Sequence, residues 1–312
     1  MLLCNKVQKS SLRGNIVDQK KIFFIYNPQA GKGQIKNYLL DVIEVFAKTG
    51  HEICIYPTKC QGDAINVVKN LKDEYDLLVC SGGDGTLDEV VTGMMQRKTR
   101  LPIGYIPAGS TNDFAKSLGI GKSMKSAAQA IVYGKNFSCD VGSFNHDTFI
   151  YIAAFGLFTD VSYETKQEAK NMLGHMAYIL EGVKRLSAIK SYHMKVCYDD
   201  TEIEDDFIYG MVTNSVSVGG FKRITGKNVE LDDGLFEVTL IKEPKNPMEL
   251  NNTISAILVG DIDAACMYCF KTAKISFETK SKVPWTLDGE FGGKHSKVLV
   301  ENKPKAIDIR VL

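Results

Sequence analysis

The sequence predicts an α/β fold in two parts: an N-terminal domain with a doubly wound parallel sheet, and a C-terminal antiparallel β-sandwich domain. Over residues 20–137, short continuous apolar runs alternate with segments of helical periodicity, which is typical of a parallel sheet covered on both faces. Over residues 138–312, strand-like runs dominate and many alternate apolar with polar residues, which is typical of half-exposed antiparallel strands. Residues 1–19 are polar and lack periodicity, so we expect a poorly ordered leader there.

The N-terminal domain repeats one unit, a strand followed by a helix. The predicted strands are short apolar runs: Ile22–Tyr26, Ile53–Tyr56, Leu77–Cys80 and Ile103–Ile106. The predicted helices cover residues 39–47, 62–71, 86–95, 112–118 and 123–133.

The C-terminal domain is predicted to be rich in strands. The strand-like runs are Phe149–Phe158, Tyr192–Tyr198, Phe207–Thr213, Leu235–Ile241, Ala273–Phe277, Lys297–Val300 and Ile307–Val311. Two helices are predicted among them, over Glu164–Leu186 and Met248–Leu258. The sequence leaves open whether the last strand returns to the first domain.

Composition and charge exclude several classes of protein. The 38 Lys and Arg residues balance 37 Asp and Glu residues, whereas a nucleic-acid binder needs a basic surplus. The longest apolar run, Phe149–Phe158, is about half of a membrane span, and no signal-peptide pattern is present. The eight cysteines are scattered, and Cys266-x-x-Cys269 has no second pair at zinc spacing. We therefore expect a cytoplasmic protein with reduced thiols and no nucleic-acid partner.

A glycine-rich turn, Gly82–Thr86, follows the third predicted strand and opens a helix. Three glycines in four positions let backbone N–H groups approach an anion closely, and a helix N-terminus favours a phosphate group. Thr86 and Glu89 have the spacing of a capping box, which predicts that the helix begins at Thr86. Asp84 would repel phosphate unless a magnesium ion and its waters lie between them. The alternative interpretation is a tight strand-to-helix turn without a ligand.

Two further polar turns are predicted at the same edge of the sheet. Pro107–Phe114 follows the fourth strand, and Asn27–Gly33 follows the first. In open α/β sheets, ligands bind at the carboxyl ends of the strands. Simple N-capping by Ser110 to Asp113 is the alternative interpretation for the second turn.

Four strings occur in one order along the chain: Asn27-Pro-Gln-Ala-Gly31, Gly82-Gly-Asp-Gly-Thr86, Pro107-Ala-Gly-Ser-Thr-Asn-Asp113 and Asp288-Gly-Glu290. Together they resemble the diacylglycerol kinase catalytic family, which also includes sphingosine and ceramide kinases and bacterial lipid kinases. The resemblance covers roughly residues 20 to 310. Within the family, the sequence looks most like the compact bacterial soluble type.

The resemblance implies that ATP lies between the two domains and that magnesium assists it. The implied ATP-binding residues are Asn27, Pro28, Gln29, Ala30, Gly31, Thr58, Gly82, Gly83, Asp84, Gly85, Thr86, Leu87, Asp88 and Ser110. A magnesium–water network is implied at Asp84 and Asp113. A structural magnesium is implied at Glu230, Asp233 and the carbonyl group of Leu235, although an acidic cluster of this kind can also be a solvated loop. Asp88 stands where the family more often has asparagine.

Phosphorylation of a hydroxyl group needs a proton acceptor, and Asp288 is the best candidate for this catalytic role. Glu290, two residues later, would orient Asp288 or hold a water molecule. The alternative interpretation is a β-hairpin turn, because Asp-Gly is a strong hairpin signal.

The predicted helix Glu164–Leu186 carries an apolar stripe and a cationic surplus. It packs on the sandwich, contacts an anionic membrane surface reversibly, or does both if one flank packs while the basic flank faces lipid. The sequence thus predicts an ATP- and Mg2+-dependent lipid kinase, with diacylglycerol giving phosphatidic acid, that is peripherally associated with the membrane. A soluble-metabolite kinase of the NAD kinase type and a non-catalytic lipid-binding regulator remain alternatives. Oligomeric state stays open, a homodimer included.

Overall fold

The computed structural model describes residues 19–157, 190–218, 229–261 and 264–312. The predicted leader, apart from residue 19, and the predicted helix Glu164–Leu186 lie outside the described residues. In the described part of the chain, no helix has the length and hydrophobicity needed to cross a membrane.

The N-terminal half is built from alternating strands and helices, as the sequence predicts. The strands are β1 (Lys21–Tyr26), β2 (Glu52–Pro57), β3 (Leu77–Gly82) and β4 (Ile103–Pro107). The helices are α1 (Ile35–Lys48), α2 (Asp63–Lys69), α3 (Asp84–Met95), α4 (Asp113–Ser117) and α5 (Met124–Tyr133), and a short 3-10 helix covers Ala30–Gly33. The four strands pair in parallel in the order β2-β1-β3-β4, which places their carboxyl ends at one edge.

The C-terminal half is mainly antiparallel. Its strands are β5 (Lys135–Phe144), β6 (Asp147–Phe149), β7 (Ile152–Gly156), β8 (Tyr192–Tyr198), β9 (Thr201–Thr213), β10 (Phe236–Lys242), β11 (Met267–Thr272), β12 (Lys274–Leu287) and β13 (Glu290–Val311), with α6 at Pro247–Val259. The two-part fold class predicted from the sequence is confirmed.

Several boundaries differ from the sequence prediction. The apolar run that begins at Phe149 is divided, because β6 ends at Phe149 and β7 begins at Ile152. The runs predicted as separate strands at Lys297–Val300 and Ile307–Val311 are parts of β13, whose register with β5 shifts between Lys303 and Ile307. The sequence analysis also missed β5 and β11.

Strand β13 joins the two halves of the molecule. It pairs antiparallel with β12, and its C-terminal end pairs in parallel with β4 through Ile309 opposite Ile103. Strands β1 to β13 thereby form one continuous sheet. The β12–β13 hairpin turn consequently lies on a strand that is anchored in both halves.

The hydrophobic core explains why this turn is held rigidly. Trp285, three residues before it on β12, is 1% exposed and packs against Phe155, Phe277 and Phe144, with ring centroids 4.8, 5.1 and 5.0 Å away. Aromatic pairs at such distances stabilise a core beyond the area that they bury. The strand that leads into the turn is therefore anchored in the aromatic core of the C-terminal half.

The predicted capping box is wrong. Helix α3 begins at Asp84, two residues before Thr86, and Gly83 occupies its N-cap position. The Glu89 carboxylate instead accepts hydrogen bonds from the N–H groups of Gly62 (2.8 Å) and Ala64 (3.2 Å), so it caps the neighbouring helix α2. Sequence spacing cannot distinguish a cap on its own helix from a cap on an adjacent one.

Candidate active site

The three polar turns predicted from the sequence meet at the carboxyl edge of the parallel strands. A Cβ atom placed on Gly109 would lie 2.6 Å from the Cα of Gly83, and one on Gly31 would lie 1.9 Å from the carbonyl oxygen of Ala108. Only glycine lets backbones approach this closely. The Asn27–Gly33, Gly82–Thr86 and Pro107–Phe114 turns thus form one continuous surface.

Hydrogen bonds fix these turns to each other. The Asn27 side-chain amide donates to Thr86 Oγ1 (3.2 Å), and the Asn27 N–H donates to the carbonyl group of Ser81 (2.9 Å). The N–H of Thr58, at the end of β2, donates to the carbonyl group of Tyr26 (2.9 Å), which places Thr58 at the same edge. Asn112 adopts a φ of 50° and closes its own turn by accepting from Gly109 N–H (2.9 Å).

The implied ATP-binding residues differ in their exposure to solvent. Gln29 and Ser110 are exposed, and Gly83, Gly85, Pro28 and Ala30 are half-buried. Leu87, in contrast, is fully buried in the hydrophobic core, and its N–H donates to the carbonyl group of Gly83. The structure therefore removes Leu87 from the set of residues that can touch a nucleotide.

Asp84 and Asp113 lie beside each other at the start of α3 and α4. Asp84 Oδ1 accepts from the N–H of Phe114 (3.3 Å), and Asp113 Oδ1 accepts from Lys116 Nζ (3.0 Å) and Ser217 Oγ (2.9 Å). Burial, together with the negative charge of Asp113, raises the pKa of Asp84 to about 6. A carboxylate in these surroundings gains from a nearby cation, which is the condition that a magnesium–water network would satisfy.

Asp288 is buried and strongly held. It lies in the two-residue hairpin between β12 and β13 with a φ of 51°, and Gly289 follows with a φ of 86°. Its Oδ2 accepts from the N–H of Ile150 (2.6 Å), and its Oδ1 accepts from the N–H groups of Tyr151 (3.0 Å) and Ile152 (2.9 Å). The hairpin predicted as the alternative is present, and the same turn holds a buried carboxylate, so the catalytic role of Asp288 stays a prediction that is compatible with the hairpin.

Two contacts connect this hairpin to the glycine-rich turn. The carboxyl groups of Asp88 and Asp288 are in hydrogen-bonding contact. Glu290 is exposed, its Oε2 accepts from Gln61 Nε2 (3.3 Å), and its Oε1 lies 3.8 Å from the position that a Cβ on Gly85 would take. The structure thus brings together residues 82–88 and 288–290, which are about 200 positions apart in the chain.

The predicted structural magnesium site has a different environment. Asp233 Oδ1 accepts from the Leu235 N–H (2.9 Å), and Asp233 Oδ2 lies 3.0 Å from Lys271 Nζ, which also pairs with Glu237 Oε1 at 3.0 Å. Glu230 is exposed. Within the described ranges, no three His, Cys, Asp or Glu side chains form a ready-made metal site. Asp233 is thus paired with a lysine in this structure, and the structural magnesium implied at Glu230, Asp233 and the carbonyl group of Leu235 stays a prediction.

Tyr151 lies beside these carboxylates and is not among the residues predicted from the sequence. This side chain is 8% exposed, and its hydroxyl group lies 3.9 Å from the position of a Cβ on Gly289. Burial raises its pKa well above the usual value, and the negative charges of the four aspartates Asp84, Asp288, Asp113 and Asp88 add to the effect. A tyrosine within an apolar run gives no signal of this kind, because only the fold places it among the carboxylates.

Comparison with known proteins identifies the family. Residues 21–144 match the diacylglycerol kinase catalytic domain, and residues 154–311 match the YegS C-terminal NAD kinase beta sandwich-like domain. The chain is 33% identical over 277 residues to a protein of Bacillus subtilis (strain 168) named diacylglycerol kinase, covering 88% of this chain and 91% of that protein. The chain belongs to the diacylglycerol kinase family. It is therefore a kinase, and family membership implies ATP as the co-substrate.

Other members of the diacylglycerol kinase family agree with this assignment. A Staphylococcus saprophyticus protein of the same name is 34% identical over 278 residues, with 88% of this chain and 90% of that protein covered. A solved structure from Bacillus anthracis str. Sterne superimposes with a TM-score of 0.80 at 26% identity, over 94% of this chain and 97% of that chain. A second, titled as the structure of a diacylglycerol kinase from the same source, has a TM-score of 0.73 at 23% identity, over 95% and 98% of the two chains, and supports the fold.

The three glycine turns present backbone with few side chains at one edge of the sheet, as the predicted binding of ATP phosphate groups requires. A Cβ on Gly82 would lie 2.4 Å from the side chain of Thr86, so a bare backbone is required at this point of the turn. Exposed or half-buried backbone of this kind at the start of a helix favours an anion. The neighbouring pair Asp84 and Asp113 fits magnesium through its water ligands, because Mg2+ usually keeps several waters.

Proposed function

We propose that this kinase transfers the γ-phosphate of ATP to the hydroxyl group of a lipid, and that the acceptor is diacylglycerol, which becomes phosphatidic acid. The observation that carries the proposal is the contact between the β12–β13 hairpin and the glycine-rich turn. It puts a held carboxylate, Asp288, next to the turn that would bind phosphate. The names of the relatives supply the acceptor class.

In the proposed reaction, the ATP phosphates lie on Gly82–Thr86, with Asn27 to Gly31, Thr58 and Ser110 around them. Asp288 takes the proton of the lipid hydroxyl as the new O–P bond forms and the bond from the γ-phosphorus to ADP breaks. Three amide N–H donors hold the Asp288 carboxylate in one orientation, which supports its proposed role as the base. Glu290 is proposed to hold a water molecule or the acceptor beside Gly85. When bound at Asp84 and Asp113, Mg2+ would neutralise charge on the phosphates.

The acceptor is tested by phosphate transfer from γ-labelled ATP, in mixed micelles with Mg2+, to diacylglycerol, phosphatidylglycerol, ceramide, sphingosine and NAD. We expect label in phosphatidic acid. Label in NAD alone would establish a soluble-metabolite kinase instead. Binding of diacylglycerol without any transfer of label would indicate a non-catalytic lipid-binding regulator.

We also propose that the protein reaches its substrate by reversible association with an anionic membrane surface from the cytoplasm. The support is the basic apolar-striped segment Glu164–Leu186. Sedimentation with vesicles should show binding that rises with the fraction of anionic lipid and falls as salt is added. Equal binding to neutral vesicles at high salt would contradict the electrostatic part of this proposal.

A further inference from the structure

The carboxyl group of Asp88 is in hydrogen-bonding contact with that of Asp288 in the candidate active site. Asp88 lies one helical turn after Asp84 on α3 and is half-buried. Two ionised carboxylates are acceptors only, so a hydrogen bond between them requires one shared proton. The question is which of the two carries it.

The surroundings of the two groups differ in the charge that they can support. Asp288 accepts from three backbone N–H groups at 2.6, 3.0 and 2.9 Å, and such donors favour the ionised form. Asp88 Oδ1 is shielded from solvent and has no hydrogen-bond partner among the described residues. An ionised carboxylate that has a buried oxygen without a donor is costly. The proton therefore belongs on Asp88 and the negative charge on Asp288.

We propose that Asp88 is a protonated positioning residue, which donates its hydrogen to Asp288 and keeps the Asp288 carboxylate ionised and oriented. The positioning role rests on the proposed function of Asp288 as the base. The protonation of Asp88 does not, because it follows from the local donors and acceptors alone.

The charges around the pair support this assignment. The groups that face Asp88 are Asp288 and Glu290 from the β12–β13 hairpin and Glu89 from its own helix, and Asp84 and Tyr151 lie near Asp288. All of these are acidic. Burial, followed by the negative charge of Asp288, raises the pKa of Asp88 well above the usual value. Burial also raises the pKa of Asp288, but its three amide donors and the Asp88 hydrogen oppose that rise.

The proton can be observed directly by 13C NMR of the protein labelled at its aspartate carboxyl carbons. At pH 7, the wild-type protein should show a protonated aspartate signal that is absent from Asp88→Asn. Asp41→Asn, the same change at an exposed position of α1, should retain the signal. A wild-type spectrum in which every aspartate is ionised at pH 7 would overturn the proposal, whether or not the variant folds.

Unfolding provides a second readout that needs neither ATP nor lipid. Because the folded-state pKa of Asp88 lies above the value of about 3.9 for an unfolded chain, the folded state binds more protons in this range. The unfolding constant of the wild type should therefore rise with pH relative to Asp88→Asn, by up to about tenfold per pH unit, from about pH 4 to the folded-state pKa. Parallel pH dependence in the two proteins would overturn the proposal.

The positioning role is tested by comparing two variants for turnover and for ATP affinity. Asp88→Ala removes the hydrogen that Asp288 accepts, so turnover should fall about tenfold to a hundredfold. Asp88→Asn still has an N–H to donate and should restore most of that loss, with turnover compared at saturating ATP in both variants. Equal losses in the two variants would exclude positioning. If no protein phosphorylates any lipid, the proposed function fails, while the NMR result on Asp88 stands.

Discussion

At the scale of single residues, the candidate site depends on how each carboxylate is held. Asp288 is fixed by three amide donors, Asp113 by a lysine and a serine, and Asp84 by the N–H of Phe114. Each is therefore fixed by its neighbours before any ligand binds. Preorganised groups of this kind cost no reorganisation at the moment of reaction.

We expect Asp288→Asn to lower turnover by about 10²–10⁴-fold, because an amide cannot accept the proton of the lipid hydroxyl. Both oxygens of Asp288 accept backbone N–H groups, so the NH2 group of the asparagine would face an N–H donor in place of an acceptor. A loss of stability is therefore expected as well. Turnover is measured with labelled ATP, ATP affinity by calorimetry, and unfolding by urea titration. If Asp288→Asn loses ATP binding but keeps normal turnover at saturating ATP, Asp288 is not the base. Asp113 is then the next candidate.

At the scale of elements, the site depends on how closely the turns that follow β1, β3 and β4 approach one another. Gly109 and Gly83 are in backbone contact, so a methyl group on Gly109 must separate two turns. The sequence shows that glycine is present at these turns. Only the packing shows that the absence of a side chain lets the backbones of two turns come into contact.

Gly109→Ala should weaken ATP binding by at least about tenfold, because a shift of a few tenths of an ångström misaligns the phosphate-binding amides. Gly121→Ala is the matched control, since a Cβ at Gly121 would meet nothing within 4 Å. Calorimetric titration of ATP into both variants measures the effect. Equal affinity in the two variants would show that the Gly83–Gly109 contact is not part of the nucleotide site.

The acidic turn before β10 is the second case in which one element depends on another. Lys271 on β11 pairs with Asp233 and with Glu237, whose pKa burial raises to about 7. Lys271→Met should lower the free energy of unfolding by about 1–3 kcal/mol, less than for a fully buried pair because the lysine is 30% exposed. Lys274→Met, which breaks the more exposed pair with Glu301, is the control.

Magnesium distinguishes the two views of this turn. If Lys271 neutralises it, Mg2+ should change the unfolding midpoint equally in the wild type and in Asp233→Asn, since Mg2+ bound at Asp84 and Asp113 affects both proteins. A rise with Mg2+ in the wild type that Asp233→Asn lacks would support the structural magnesium implied at Glu230, Asp233 and Leu235.

At the scale of the whole molecule, β13 couples the two halves. Val298 and Val300 pack in the aromatic core around Trp285, whereas Ile307 and Ile309 pack in the core of the parallel sheet. A single strand is therefore buried in both cores, and neither half can unfold without exposing part of the other.

We expect one unfolding transition, with Trp285 fluorescence and far-ultraviolet circular dichroism changing together. Ile309→Ala should shift both signals equally, by about 2–4 kcal/mol in the free energy of unfolding, because a fully buried side chain is removed. Leu299→Ala, at a 37% exposed position of the same strand, should change both signals much less. Separated fluorescence and dichroism transitions would show that the halves unfold independently.

The sequence by itself determined the two-part fold, the strands and helices of the N-terminal half, the three glycine turns and the family. These are local properties, since apolar periodicity and turn residues act over a few positions. Only the tertiary structure decided that Leu87 is buried, that Glu89 caps α2, that Lys271 neutralises Asp233, and that Tyr151 lies among the aspartates. It also decided that Asp88 meets Asp288. Each of these depends on which side chains from distant positions come into contact, and burial and charge acquire their effect on a carboxyl group only once those contacts have formed.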